Sequence, residues 1–217
     1  MAEKSFLEEV KKIESNDIDH IVFCGMGGSG SIGDIITAIL STSDIHVTNV
    51  KGYLLPKTVD EKTLVICTSV SGNTRETLTT LESAKKKSCK VISFSSGGKM
   101  KEIVDKNISF YEIPLLHSPR ASLPNFLYYM INVLKDFLPI TNDDILQSIS
   151  NLKETRDKIN SENLNSENPS LILAKWIKDF PIIYYPNGLQ SVAIRFKNSL
   201  QENSKIHTSI EDVIEAS

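Results

Sequence analysis

The chain has 217 residues, 40% of them hydrophobic and 24% charged, with a formal net charge of −3. This is the composition of an ordinary soluble globular protein of one or two domains. It excludes a basic field for nucleic acid or an anionic membrane surface, so any anion site must be built locally, and no apolar run approaches the roughly 20 residues that cross a bilayer.

Three isolated cysteines, Cys24, Cys67 and Cys89, show no CxxC spacing. Cys24 and Cys67 fall inside predicted strands and read as small core residues. An odd cysteine count without a signal peptide fits a reducing cytoplasm. The four histidines, His20, His46, His117 and His207, lack metal-ligand spacing, so a metal is not expected; no cofactor is expected either.

Taken in order, Phe6–Ile13 reads as an amphipathic helix, with Phe6, Val10 and Ile13 on one face. His20–Cys24 reads as a strand. It runs into Gly25-Met26-Gly27-Gly28-Ser29-Gly30-Ser31 and then a helix to about Leu40. Gly25, Gly27 and Gly30 satisfy GxGxxG, which raises a dinucleotide fold. That fingerprint also needs an acid ending the next strand to hold a ribose. Here Ile45–Val50 is followed by Lys51-Gly52-Tyr53, so NAD is disfavoured. A tight turn for helix–sheet packing with no ligand is the plainer alternative.

The strand Leu64–Cys67 leads into Ser69-Val70-Ser71-Gly72-Asn73-Thr74, followed by a helix with Leu78, Leu81 and Ala84 on one stripe. A strand feeding a Ser/Gly/Thr turn into a helix start leaves backbone N–H groups unpaired beside partial positive charge. Helix polarity alone is worth about 0.3–1 kcal/mol, whereas millimolar affinity needs about 4 kcal/mol. Ser69, Ser71 and Thr74 supply further donors, and Gly72 allows close backbone approach. The competing reading is a turn plus an N-cap.

Lys90–Ser95 is a further strand, ending in Ser96-Gly97-Gly98-Lys99, and Ile108–Ile113 is a short extended piece. Strands alternating with helices through residue 138 or so predict a parallel sheet covered on both faces. Ligands bind beyond the C-terminal strand ends of such sheets, which is where the three turns fall. Arg120 precedes the apolar helix Phe126–Leu138. A cation near a helix start is unfavourable unless something negative faces it, so Arg120 is either a substrate-side group or a solvated arginine.

Asp143–Ile159 reads as another amphipathic helix, and polar Ser161–Pro169 as a linker or mobile loop. The expected divisions are 1–140, 141–168 and 169–217. The last repeats the opening order: a helix at Leu171–Lys178, a strand at Phe180–Tyr185, a helix at Leu189–Leu200 and a strand at Lys205–Ile210. It is too short to bury a core comfortably alone. It should expose Phe180 and Tyr184, and a homodimer is expected to cover such surface.

The sequence resembles the sugar isomerase (SIS) domain superfamily, and more closely the archaeal-type bifunctional phosphoglucose/phosphomannose isomerases. The resemblance rests on Gly25–Gly30, Ser69–Thr77, Ser96–Lys99, Pro119-Arg120-Ala121 and Arg195–Lys205, which stand in family order over nearly the whole chain. It implies a five-stranded parallel α/β sheet followed by the start of a second similar domain. It also implies exchange of glucose 6-phosphate or mannose 6-phosphate with fructose 6-phosphate. Gly27, Gly28 and Ser29 would lie along the sugar, and Ser69, Ser71 and Thr74 would hold the phosphate. Arg120 would face the enediolate, and Glu202 would be the base. Without the family, the i,i+7 spacing of Arg195 and Glu202 reads as a surface ion pair.

The chain also departs from the family. Val70 replaces a tyrosine common between the two serines. Relatives continue past Glu-Asn-Ser-Lys into a His-Asn-Glu motif whose histidine serves ring opening, and through further elements that carry a lysine and a threonine. This sequence reaches Glu215-Ala216-Ser217 about where that histidine is expected. The sequence is therefore either an incomplete chain or a shortened relative, and a non-catalytic phosphosugar-binding SIS protein is the alternative.

Overall fold

A computed structural model of the chain describes residues 1–14, 17–116 and 118–216. His117 and Ser217, both named above, lie outside the described residues. The chain divides into two compact units, Met1–Pro139 and Ile140–Ser217.

The first unit holds helix α1 (Ala2–Leu7), strand β1 (His20–Cys24), α2 (Gly27–Leu40), β2 (His46–Val50) and β3 (Thr63–Ser69). It continues with α3 (Arg75–Lys85), β4 (Lys90–Ser95), α4 (Gly98–Ile103), β5 (Ile108–Glu112) and α5 (Leu123–Val133). The strands form the expected five-stranded parallel sheet in the order β2-β1-β3-β4-β5. Alternate residues face opposite helical layers. Val22, Cys24, Val65, Cys67 and Val91 pack under Leu81 and Ala84 of α3 and Met100 of α4. On the other face Phe23 meets α2 at Gly33, and Thr68 meets α5 through Met130. Burying each large apolar side chain, such as Phe94 or Phe126, contributes about 1.5–3 kcal/mol.

The first helix departs from the expectation. It covers Ala2–Leu7 and ends at Glu8 in extended backbone, whereas periodicity placed it at Phe6–Ile13. Tertiary hydrogen bonds capture the segment instead. Asn132 Nδ2 donates to the Glu8 carbonyl at 2.8 Å, Tyr111 Oη to the Lys11 carbonyl at 2.7 Å, and the Ile13 N–H to the Val133 carbonyl at 3.3 Å. Phe6 and Ile13 are buried all the same, without a shared helix face.

The second unit holds α6 (Asn142–Ile159), α7 (Pro169–Trp176), β6 (Ile182–Tyr185), α8 (Gln190–Ser199) and β7 (Ser209–Asp212), with β6 and β7 paired in parallel. Thr141 and Asp144 form a reciprocal capping box at the start of α6. Segment 161–169, read as a linker, is a run of asparagine turns. Asn163 Nδ2 donates to the Lys158 carbonyl, and buried Asn168 donates to the Asn163 carbonyl while accepting from the Ser170 and Leu171 N–H groups. After α8 the backbone widens into a π-helical turn, Leu200–Ser204, and Lys205 takes φ +60. The last strand therefore begins at Ser209 instead of Lys205. Phe180 and Tyr184 are exposed, as expected. Among the described residues no helix is long and apolar enough to cross a membrane.

Candidate active site

The sheet order places a topological switch point between β1 and β3. From β1 the chain crosses through α2 to β2 on one side, and from β3 it crosses through α3 to β4 on the other. Diverging connections leave a crevice beyond the C-terminal strand ends, where ligands of doubly wound sheets bind. The turns that follow β1, β3 and β4 all open there.

These turns are stitched together at Val70. Its N–H donates to Ser29 Oγ, in the first turn of α2 just after β1, at 3.4 Å. Its carbonyl accepts from the Ser96 N–H at 3.1 Å and from Ser96 Oγ at 2.6 Å, both of the β4 turn. Gly25, leaving β1, donates its N–H to the Val50 carbonyl at the end of β2, at 3.1 Å. Ser69 and Ser95 stand opposite each other at the ends of β3 and β4.

Within the β3 turn, Ser69 Oγ lies 2.9 Å from Thr74 Oγ1 and accepts the Gly72 N–H at 3.1 Å. Ser71 Oγ accepts the Asn73 N–H at 3.3 Å. Ser69 is buried, Thr74 half-buried and Ser71 exposed. Gly72 has φ +69, where only glycine is unstrained.

The turn-plus-cap reading is half right. Thr74 occupies the N-cap of α3, yet its hydroxyl makes no capping bond to the helix and turns to Ser69. Helix α2 also starts at Gly27 without a capping side chain. At both helices the first-turn N–H groups make no bond to the N-cap side chain, an electrostatic arrangement that attracts anions. Gly27 is exposed, Gly28 half-buried and Ser29 buried at this start.

Arg120 is exposed, in the 3-10 turn Pro119–Ser122 that leads into α5. Glu202 is half-buried in the π-helical turn of the second unit. The α-helical period that put Arg195 and Glu202 near one face ends at Ser199, so the i,i+7 argument does not reach Glu202. The first unit therefore brings together Gly27, Gly28, Ser29, Ser69, Ser71 and Thr74, while Glu202 belongs to the other unit.

Sequence reading treated Lys51 only as the residue standing where a ribose-binding acid was wanted. In the fold its Nζ pairs with Asp34 Oδ2 at 2.6 Å, and its Cε lies 3.3 Å from where a Cβ on Gly30 would be. A cation thus sits beside the glycine turn, and its place at the end of the strand next to β1 was the available signal. Tyr53, from the same loop, meets Glu76 in the first turn of α3, and that hydrogen bond raises the pKa of the phenol. The cysteines carry no reactive signature. Cys24 and Cys67 are register partners in the core, and the Cys24 thiol together with burial holds the Cys67 pKa well above the ordinary thiol value. Among the described residues no group of three or more His, Cys, Asp or Glu side chains could hold a metal.

Residues 16–106 match the family described as "SIS domain", and residues 166–217 match "Bacterial phospho-glucose isomerase C-terminal SIS domain". The chain is 36% identical to a bifunctional phosphoglucose/phosphomannose isomerase of Caldicellulosiruptor bescii, over 89% of this chain and 59% of that protein. It is 35% identical to the protein of the same name from Aquifex aeolicus, over 85% of this chain and 56% of that protein. The solved C-terminal domain of glucosamine-fructose-6-phosphate aminotransferase from Francisella tularensis superposes with a TM-score of 0.68. That match has 18% identity and covers 97% of this chain and 66% of that one, a likeness of fold. The chain spans less than two thirds of the length of these curated relatives.

Proposed function

The chain belongs to the SIS (sugar isomerase) domain family, and on that premise we propose that it is a phosphosugar aldose–ketose isomerase. It exchanges glucose 6-phosphate, mannose 6-phosphate or both with fructose 6-phosphate through an enediolate. The observation that carries this reading is the switch point between β1 and β3, where two helix starts without capping side chains stand beside serine, threonine and glycine turns tied together at Val70. Each helix start contributes at most about 2 kcal/mol toward an anion. A hydrogen bond to a charged group contributes about 1.5–3 kcal/mol, so the hydroxyls decide whether a phosphate ester is held.

Ser69, Ser71 and Thr74 are assigned to the phosphate, and Gly27, Gly28 and Ser29 to the sugar. Glu202 takes the proton from C2 of the aldose and returns it to C1. Arg120 stabilises the oxygen that carries negative charge between those steps. The protein is assigned to the cytoplasm, a reading supported by its three unpaired thiols. It is also assigned to a homodimer, supported by exposed Trp176, Phe180 and Tyr184 on the second unit. Sedimentation giving only a stable monomer would remove the dimer.

A coupled assay with each aldose tests catalysis. Turnover supports it, and its absence in a chain that binds fructose 6-phosphate rejects it. Binding without turnover instead supports a phosphosugar-binding protein. That second reading is favoured by one observation: every residue assigned to the phosphate lies in the first unit.

A further inference from the structure

We propose that the β4–α4 turn is a positioning device for the anion loop, with Ser96 and Asn73 as the side chains that set where Ser71, Gly72 and Thr74 stand. This rests on the reading of Ser69–Thr74 as a phosphate-ester loop. Neither Ser96 nor Asn73 has a ligand role in that reading.

The two turns interlock at four points. The Val70 carbonyl takes both the N–H and the Oγ–H of Ser96, at 3.1 and 2.6 Å. The Gly72 carbonyl takes the Met100 N–H at 2.9 Å. Asn73 is a two-ended bracket: its Oδ1 accepts the Lys99 N–H at 3.1 Å, and its Nδ2 donates to the Ser71 carbonyl at 3.0 Å. The backbones also pack without room for side chains. A Cβ on Gly72 would stand 1.8 Å from the Gly97 oxygen, and one on Gly98 would stand 2.4 Å from the Ser71 oxygen.

A Ser-Gly turn left to itself samples many conformations, and ordering it on binding weakens affinity. The clamp holds it ordered beforehand. Ser71 depends on it most, since its hydroxyl is exposed and accepts the Asn73 N–H, from the residue that Lys99 grips.

The test compares Ser96→Ala, Asn73→Ala and the hydroxyl-retaining Ser96→Thr in the 217-residue chain. Calorimetry with inorganic phosphate and fructose 6-phosphate is read beside amide exchange of Ser71–Thr74. Ser96→Ala and Asn73→Ala are expected to raise both dissociation constants about 5- to 30-fold and to speed exchange. KM should rise by the same factor with kcat unchanged, and Ser96→Thr should restore the native values. Faster exchange with native affinity makes the clamp merely structural and overturns the proposal. So do native affinity and native exchange together in the two alanine variants. If the unsubstituted chain binds neither ligand, the phosphate reading falls and takes the proposal with it.

Discussion

Replacing Gly72 by alanine attacks the Ser69–Thr74 turn, proposed to hold the phosphate, at its tightest point. Two costs are fixed by the geometry. At φ +69 an L-residue is strained by about 1–2 kcal/mol. The new Cβ would also lie 1.8 Å from the Gly97 oxygen and 2.7 Å from Ser95 Oγ, so the two turns must part by about 1.5 Å. Parting them breaks the Met100 N–H bond to the Gly72 carbonyl, worth about 0.5–1.5 kcal/mol. The expected loss of stability is therefore about 2–4 kcal/mol, measured by urea melting followed by circular dichroism. Affinity for fructose 6-phosphate should fall about 10- to 150-fold, the equivalent of one charge-assisted hydrogen bond. Gly27→Ala is the internal control for stability. It carries the same kind of strain at φ +52 but meets nothing within 4 Å, so it should cost only about 1–2 kcal/mol. A Gly72→Ala chain that melts with Gly27→Ala and binds at native affinity would refute the reasoning.

Glu202→Gln should lower kcat about 10²- to 10⁴-fold in the coupled assay while calorimetric affinity for fructose 6-phosphate stays native. An unchanged kcat would remove Glu202 as the base. At the opposite sheet edge, burial and the neighbouring His46 ring lower the pKa of His20, against weaker opposing pulls from Asp60 and Asp19. The unfolded chain takes up that proton at about 6.5. Stability is therefore whole above about pH 6.5 and declines as pH falls from there through the lowered folded value. The melting temperature should drop across that window, and His20→Gln should flatten the drop. Asn168→Ala removes the acceptor for the Ser170 and Leu171 N–H groups at the start of α7. It should cost about 0.5–2 kcal/mol in a urea melt, and no change would show that the cap is idle.

Local signals in the chain were enough for a parallel sheet covered by helices, because buried apolar runs and glycine or hydroxyl turns each answer to short-range chemistry. That a hydroxyl- and glycine-rich turn joins β3 to α3 at Ser69–Thr74 was legible for the same reason. Segments held by distant partners were not. Residues 8–13 carry helical spacing, yet bonds from Asn132 and Tyr111 and to Val133 hold their backbone out of a helix. Thr74 looks like a cap, and only the proximity of Ser69 turns its hydroxyl away. The widening after Ser199 shifts both Glu202 and the start of β7, and no residue in Leu200–Ser204 announces it.

The order of residues determined which turns follow which strands, and hence that hydroxyls and glycines stand at strand ends, since that depends only on neighbours in sequence. Tertiary structure alone decided that β1 lies beside β3, that Val70 joins three turns, and that Lys51 stands beside the glycine turn. Strand order is set by which apolar faces bury together across long loops, a choice the local pattern leaves open.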